Sequence, residues 1–156
     1  MWLEAGQWSV ATDGRTALRG ANWGSEEPVL IVPSPANRMP VSTPLHVHML
    51  VDDFFERRFG VRFRSRALFA TSNPTTAAKY GAVRQLVPQA DFCYCWSPVV
   101  ADLFEELLHK DPNEPFGDFL DRMSYRCHDL AGALESGNEV MLVGAKFEAH
   151  HWGLEL

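Results

Sequence analysis

Apolar residues fall along this chain in short blocks, each with a helical or an extended period, separated by Gly, Pro and Asn/Asp/Ser clusters. Val29–Val32, bounded by Pro28 and Pro33, is a β-branched run that predicts a buried strand. After a proline-punctuated loop, Ser42 or Thr43 offers a cap and Pro44 a first helical residue. Leu45, Met49, Val51, Phe54, Phe55 and Phe59 then recur at helical spacing until Gly60. Val61-Arg62-Phe63 alternates as a strand does, and Ala67–Ala70 is a further extended block. That block turns through Thr71-Ser72-Asn73, whose short side chains bond nearby backbone. Pro74 opens a short helix that ends at Tyr80 and Gly81. Ala82–Val87 and Phe92–Trp96 predict two more strands.

The second half reads as helices and then strands. Ser97-Pro98 predicts a helix start, with Val99, Val100, Leu103, Phe104, Leu107 and Leu108 as its apolar face. Asp111-Pro112-Asn113 breaks it, and a second helix is predicted from Pro115 to Leu134. Glu139–Val143 and Lys146–His150 predict two strands around Gly144-Ala145, as a hairpin or one bent strand. Residues 1–28 hold no helical period. They read as an irregular cover rich in Gly and Trp, with Gln7–Val10 a possible strand and Thr12–Arg15 its turn. This order of elements predicts an α+β domain with a mixed or antiparallel sheet rather than βαβ winding.

Composition narrows the classes. A chain of 156 residues, 46% hydrophobic and 22% charged, predicts one globular domain, 1–156. No run of 18 apolar residues occurs, and the early Glu4 argues against a signal peptide. Three cysteines without a C-x-x-C pair fit a reducing cytoplasm better than a disulfide scaffold. A net charge of −6 disfavours bulk attraction to duplex DNA. Against that balance, Arg57, Arg58, Arg62, Arg64 and Arg66 crowd together, as a phosphate-binding cluster or as a solvated face. No metal site is expected. His46 and His48 lie two apart on a helix, and Cys93 and Cys95 lack a second pair.

Three separated stretches together resemble the ADP-ribosyltransferase fold of the cholera-toxin type. Leu68-Phe69-Ala70-Thr71-Ser72, followed by Ala77-Ala78-Lys79-Tyr80, is similar to the family's Ser-Thr-Ser piece that passes into a helix. Gly137-Asn138-Glu139-Val140-Met141-Leu142, with Gly144 and Phe147 after it, is similar to the glutamate piece at the head of a late strand. Asn37-Arg38-Met39-Pro40, just after Val29–Val32, is similar to an Arg-x-Pro segment near the first-strand arginine. There are departures: Ala70 stands for the first serine, Val29–Val32 contains no arginine, and Gly137 stands where protein-arginine modifiers carry an acid. The resemblance implies a split sheet flanked by helices, NAD as substrate, and transfer of ADP-ribose to a protein or nucleic acid inside a cell. Small members of this kind are toxins or phage effectors.

The implied chemistry assigns roles. Cleaving the nicotinamide–ribose bond builds positive charge on the ribose, and a fixed carboxylate there, Glu139, stabilises it. The resemblance gives Thr71 and Ser72 the task of orienting ribose and carboxylate. The NAD phosphates fall to Arg38, Arg64 or Arg66, because a guanidinium is a planar multi-donor cation. Phe69 and Tyr80 are the aromatic contacts, Tyr80 by stacking on nicotinamide. An alternative is an inactive member of the same fold that binds and masks a host protein.

Overall fold

The computed structural model describes residues 2–153, so the expected domain 1–156 runs past the described residues at both ends. Its strands form two antiparallel sheets, and the α+β expectation holds at that level. The first sheet has four strands in the order β1 (Ala17–Ala21), β4 (Ala82–Pro88), β7 (Phe147–His151) and β2 (Val29–Val32). The second has three, β3 (Leu68–Ala70), β6 (Val140–Gly144) and β5 (Phe92–Trp96). One apolar layer lies between the sheets, with Leu68, Tyr94, Val140 and Leu142 from one side and Ala17, Leu86, Phe147 and Ala149 from the other. The opposite face of the three-stranded sheet carries Cys93, Cys95, Met141 and Val143. These pack on α2 (Leu45–Phe59), α3 (Phe63–Arg66), α5 (Leu103–Leu108) and α6 (Phe116–Arg122). Buried on both faces, β5 and β6 read as continuous apolar runs rather than alternating ones. At the centre of the helical layer Phe55 meets Tyr125 edge-on at 4.9 Å and Phe63 at 5.9 Å.

Several expected elements are corrected. Gln7–Val10 is not a strand: Ala5–Gln7 is a 3₁₀ turn and Trp8–Thr12 is α1. Trp8 and Thr12 are buried one helical turn apart while Val10 points to solvent, so the period is helical. The N-terminal region also holds β1, which small residues of low strand propensity concealed. Val61-Arg62-Phe63 leads into helix α3, not a strand. The reason is non-local: the buried Asp52 carboxylate on α2 accepts from the Arg64 and Ser65 backbone N–H groups at 2.8 and 3.2 Å.

Ser97-Pro98 opens no helix, because α5 begins only after the cap at Asp102. The intervening backbone serves the neighbouring turn instead, with Asn138 Nδ2 donating to Ser97 O and Glu139 N to Ala101 O. The single helix expected over 115–134 is two, α6 and α7 (Leu130–Ser136). Ser124 and Asp129 take left-handed backbone, and Arg126 pairs with Trp96 on the edge of β5. Finally, β6 and β7 form no hairpin; the chain bends at Gly144 and carries each strand into a different sheet.

Two devices join the sheets near one end. Leu18 of β1 and Thr71, just past β3, exchange backbone bonds of 2.8 and 2.9 Å. Helix α4 (Pro74–Ala78) lies so close to β1 that a Cβ at Gly20 would sit 1.7 Å from the Ala77 carbonyl oxygen, so only glycine fits there.

Candidate functional site

The sheet junction gathers side chains from five elements. The Thr71-Ser72-Asn73 turn is stiff because each side chain bonds backbone. Asn73 caps α4 by accepting from Thr75 N and Thr76 N. Thr71 Oγ1 accepts from Asn73 N and donates to Gly137 O at 2.8 Å. Ser72 Oγ donates to Leu134 O. Thr71 and Ser72 therefore hold the end of α7 and the turn after it. Neither hydroxyl bonds the Glu139 carboxylate, so the expectation that they orient it directly is replaced by positioning through the backbone. Gly137 sits at φ 76°, a left-handed conformation that closes α7 and turns the chain toward Glu139. That backbone is a local reason for glycine where an acid was looked for.

Glu139 lies at the head of β6 with its side chain 18% exposed. Among the described residues, its carboxylate is bonded by one side chain, Arg64, whose Nη1 donates to Oε1 at 2.8 Å. Arg64 is itself only 12% exposed. Burial is the largest single influence and lowers its pKa, but Glu139, with Tyr125 and Asp102, raises it and the net shift is upward. Its guanidinium carbon lies 4.5 Å from the Phe69 ring centroid, and that of Arg38 lies 3.9 Å from it. Arg38 is tied to the same segment, Nη2 donating to Arg64 O at 3.2 Å and its backbone N–H to Ser65 O.

A third guanidinium arrives that the sequence reading missed. Arg19, on β1, donates from Nη1 to Phe69 O at 3.0 Å. Val29–Val32, expected as the first strand, contains no arginine; the first strand is β1, and Arg19 lies inside it. Leu18-Arg19-Gly20 was the available signal, lost because β1 itself was lost. Arg66 departs from expectation in the other sense. It is exposed, makes no hydrogen bond or ion pair with these residues, and exerts its field on Cys93.

The electrostatics follow from crowding. Arg38 is held down to about 10, by burial first and then by the positive charges of Arg64 and Arg19, which Glu139 and Asp52 only partly offset. Burial also lowers Arg19. Among the described residues Arg19 and Arg38 form no ion pair, and a buried Arg38 Nε has no partner. Three guanidinium groups thus surround Phe69 with one directly paired carboxylate. Tyr125, also missed, sits in the helical-side core against Phe55 and feels the charges of the Arg64–Glu139 pair. Its hydroxyl is buried without a hydrogen-bond partner, and burial followed by the Glu139 charge pushes its pKa well up. The polar end of a tyrosine carried no signal inside a stretch read as helix.

Tyr80, beyond α4, is 67% exposed. Burial, then the charges of Asp102 and Glu139, raise its pKa. It also lines an open groove of about 640 Å³ with Asn22, Trp23, Glu26 and His151. Beneath this groove Arg84 is 1% exposed and held by the carbonyls of Ser25, Pro28 and Ala149, which fixes the loop after β1. Of the expected residues, the structure brings together Arg38, Arg64, Phe69, Thr71, Ser72 and Glu139, sets Tyr80 on the separate groove, and leaves Arg66 aside. Among the described residues no group of three or more His, Cys, Asp or Glu side chains could hold a metal ion. No described helix is long and apolar enough to cross a membrane. No family model, curated protein or solved structure matches the chain.

Proposed function

We propose that this chain is an NAD-dependent ADP-ribosyltransferase or NAD glycohydrolase of the ADP-ribosyltransferase fold, acting inside a cell as a toxin or phage effector does. The observation that supports it is the convergence of three arginines from separate segments on Phe69 beside Glu139, Arg38 and Arg64 over its ring and Arg19 on its backbone carbonyl. Crowded guanidinium groups with too few acids suit an anion that carries more than one charge, and the dinucleotide pyrophosphate is such a group. Arg19 takes the place of the family's first-strand arginine. Arg38 and Arg19 hold the phosphates, and Arg64 holds Glu139 in orientation.

Glu139 acts as the fixed carboxylate that stabilises charge developing on the ribose as nicotinamide leaves. Thr71 and Ser72 keep its turn rigid. Phe69 is the platform beneath the guanidinium groups, and Tyr80 offers a ring for nicotinamide at the groove. With glycine at position 137, the acceptor is a group other than arginine, or water.

A second reading keeps the fold and drops the chemistry: an inactive member that masks a host protein. It draws on the Arg64–Glu139 pair, which occupies the carboxylate, and on Ala70, which supplies no hydroxyl. Nicotinamide release from NAD by purified protein decides between them. The wild type should turn over and Glu139→Gln should be slower by about 10²–10³-fold. Equal, background-level rates for both proteins, with candidate acceptors present, would remove the enzymatic reading.

A further inference from the structure

The three cysteines take no part in the site above, and two of them face each other. On one side β5 pairs with β6 along its whole length. On the other side it meets the segment between α6 and α7 at a single point. There Trp96 N donates to Arg126 O at 3.0 Å and Arg126 N to Trp96 O at 2.8 Å. In an antiparallel pair, the residues flanking such a doubly bonded couple oppose each other at the position without backbone bonds. Cα atoms there are about 4.5 Å apart and side chains are closest. The register places Cys95 opposite Cys127. Both side chains belong to the helical-side core, Cys95 fully buried and Cys127 half-buried at its margin. The two thiols act on each other's titration, Cys127 moved down and Cys95 moved up. A Cα separation near 4.5 Å falls within the roughly 4.4–6.8 Å that a disulfide spans.

We propose that Cys95 and Cys127 are a redox-active dithiol that closes to an intramolecular disulfide on meeting a low-molecular-weight disulfide such as glutathione disulfide. Cys127 is the attacking sulfur, since it is the more accessible of the two. The neighbouring Cys95 thiol lowers the Cys127 pKa against the opposing effect of burial. Its thiolate attacks one sulfur of glutathione disulfide, breaking that S–S bond. A Cys127–glutathione mixed disulfide forms, and the departing glutathione thiolate takes up the proton that Cys127 gave to solvent. Cys95 then loses its proton and attacks the Cys127 sulfur, and the second glutathione leaves as a thiol. Two protein thiols are oxidised and one glutathione disulfide is reduced to two glutathione molecules. Cys93, on the same face of β5, has its thiol pushed up to about 12 by burial and no cysteine opposite it. The bridge fastens to the edge strand β5 the segment that carries Tyr125.

The test needs no activity assay and does not depend on the enzymatic reading. The full chain is incubated natively with glutathione disulfide, alkylated, digested without reduction and mapped by mass spectrometry. Expected are a Cys95–Cys127 linked peptide lacking two hydrogens, a free Cys93, a raised melting temperature, and reversal by dithiothreitol. Cys95→Ala should stop at a persistent glutathione adduct on Cys127, and Cys127→Ser should acquire neither bridge nor adduct. A persistent adduct on Cys127 of the wild-type protein, a bridge involving Cys93, or thiols that react only after denaturation would each overturn the proposal. The wild-type map decides even if a variant fails to fold.

Discussion

Arg64 lies between two carboxylates that do opposite work. Asp52 is 1% exposed; it accepts from two backbone N–H groups, stands 3.7 Å from His48 and 3.8 Å from Arg62, and so fixes where α3 begins. Glu139 is partly open and bonded by one side chain, which itself belongs to a crowd of cations. A carboxylate surrounded by fixed donors is committed to the fold. One with a single side-chain partner beside surplus positive charge can exchange that partner for a ligand. The same arginine thus gives its backbone to structure and its side chain to the site.

Substitutions can separate the two roles. Asp52→Ala should have the largest effect, about 3–5 kcal/mol of folding free energy by denaturant titration, because it strands buried donors and Arg62. A loss below about 1 kcal/mol would show that solvent replaces the carboxylate. Glu139→Gln should leave the unfolding midpoint near that of wild type while removing about 2.7–4 kcal/mol of barrier lowering in NAD cleavage. A large stability loss instead would make Glu139 a second Asp52. Arg19→Ala should raise the KM for NAD on the order of 10–100-fold, from the ~1.5–3 kcal/mol of a hydrogen bond to a charged group. An unchanged KM with lower stability would make Arg19 only a strut to Phe69.

The pH dependence of stability probes the Asp52 side alone. Burial lowers the pKa of His48, with the nearby arginines adding and Asp52 opposing. The folded state therefore binds this proton more weakly than the unfolded chain. The stability linked to it is present above the unfolded value of about 6.5 and is lost as pH falls from there toward the lower folded value. Urea titrations between about pH 7.5 and about pH 5.5 should show this slope, and His48→Gln should flatten it. An unchanged slope would assign the effect to other groups. The smallest effect belongs to Tyr80→Ala. With the ring 67% exposed, stability should hold while the KM for NAD rises severalfold, from the ~0.5–1.5 kcal/mol of an aromatic pair. An unchanged KM would place Tyr80 outside the dinucleotide groove.

Local chemistry decided much of this protein in advance. The cap and proline that launch α4, the helical spacing of α2 up to Gly60, and the apolar runs of β5 and β6 are all properties of neighbours in the chain. So were the residue types around Thr71 and Glu139 and the order in which they come. By contrast β2, expected to be buried, is an edge strand that leaves Val29 and Ile31 exposed. What only the tertiary structure decided depends on partners far apart in sequence. Asp52 turned an alternating Val61–Phe63 into a helix start, and Arg126 broke an apparent 20-residue helix to reach β5. The turn carrying Glu139 took over the 97–101 backbone. The placing of Arg19 beside Phe69 rests on the Leu18–Thr71 junction between sheets, which no window of neighbouring residues contains. Hydrophobic period and capping are set by adjacent residues and can be read along the chain. Hydrogen bonds across a fold exist only once distant backbones meet, and those bonds assembled this site.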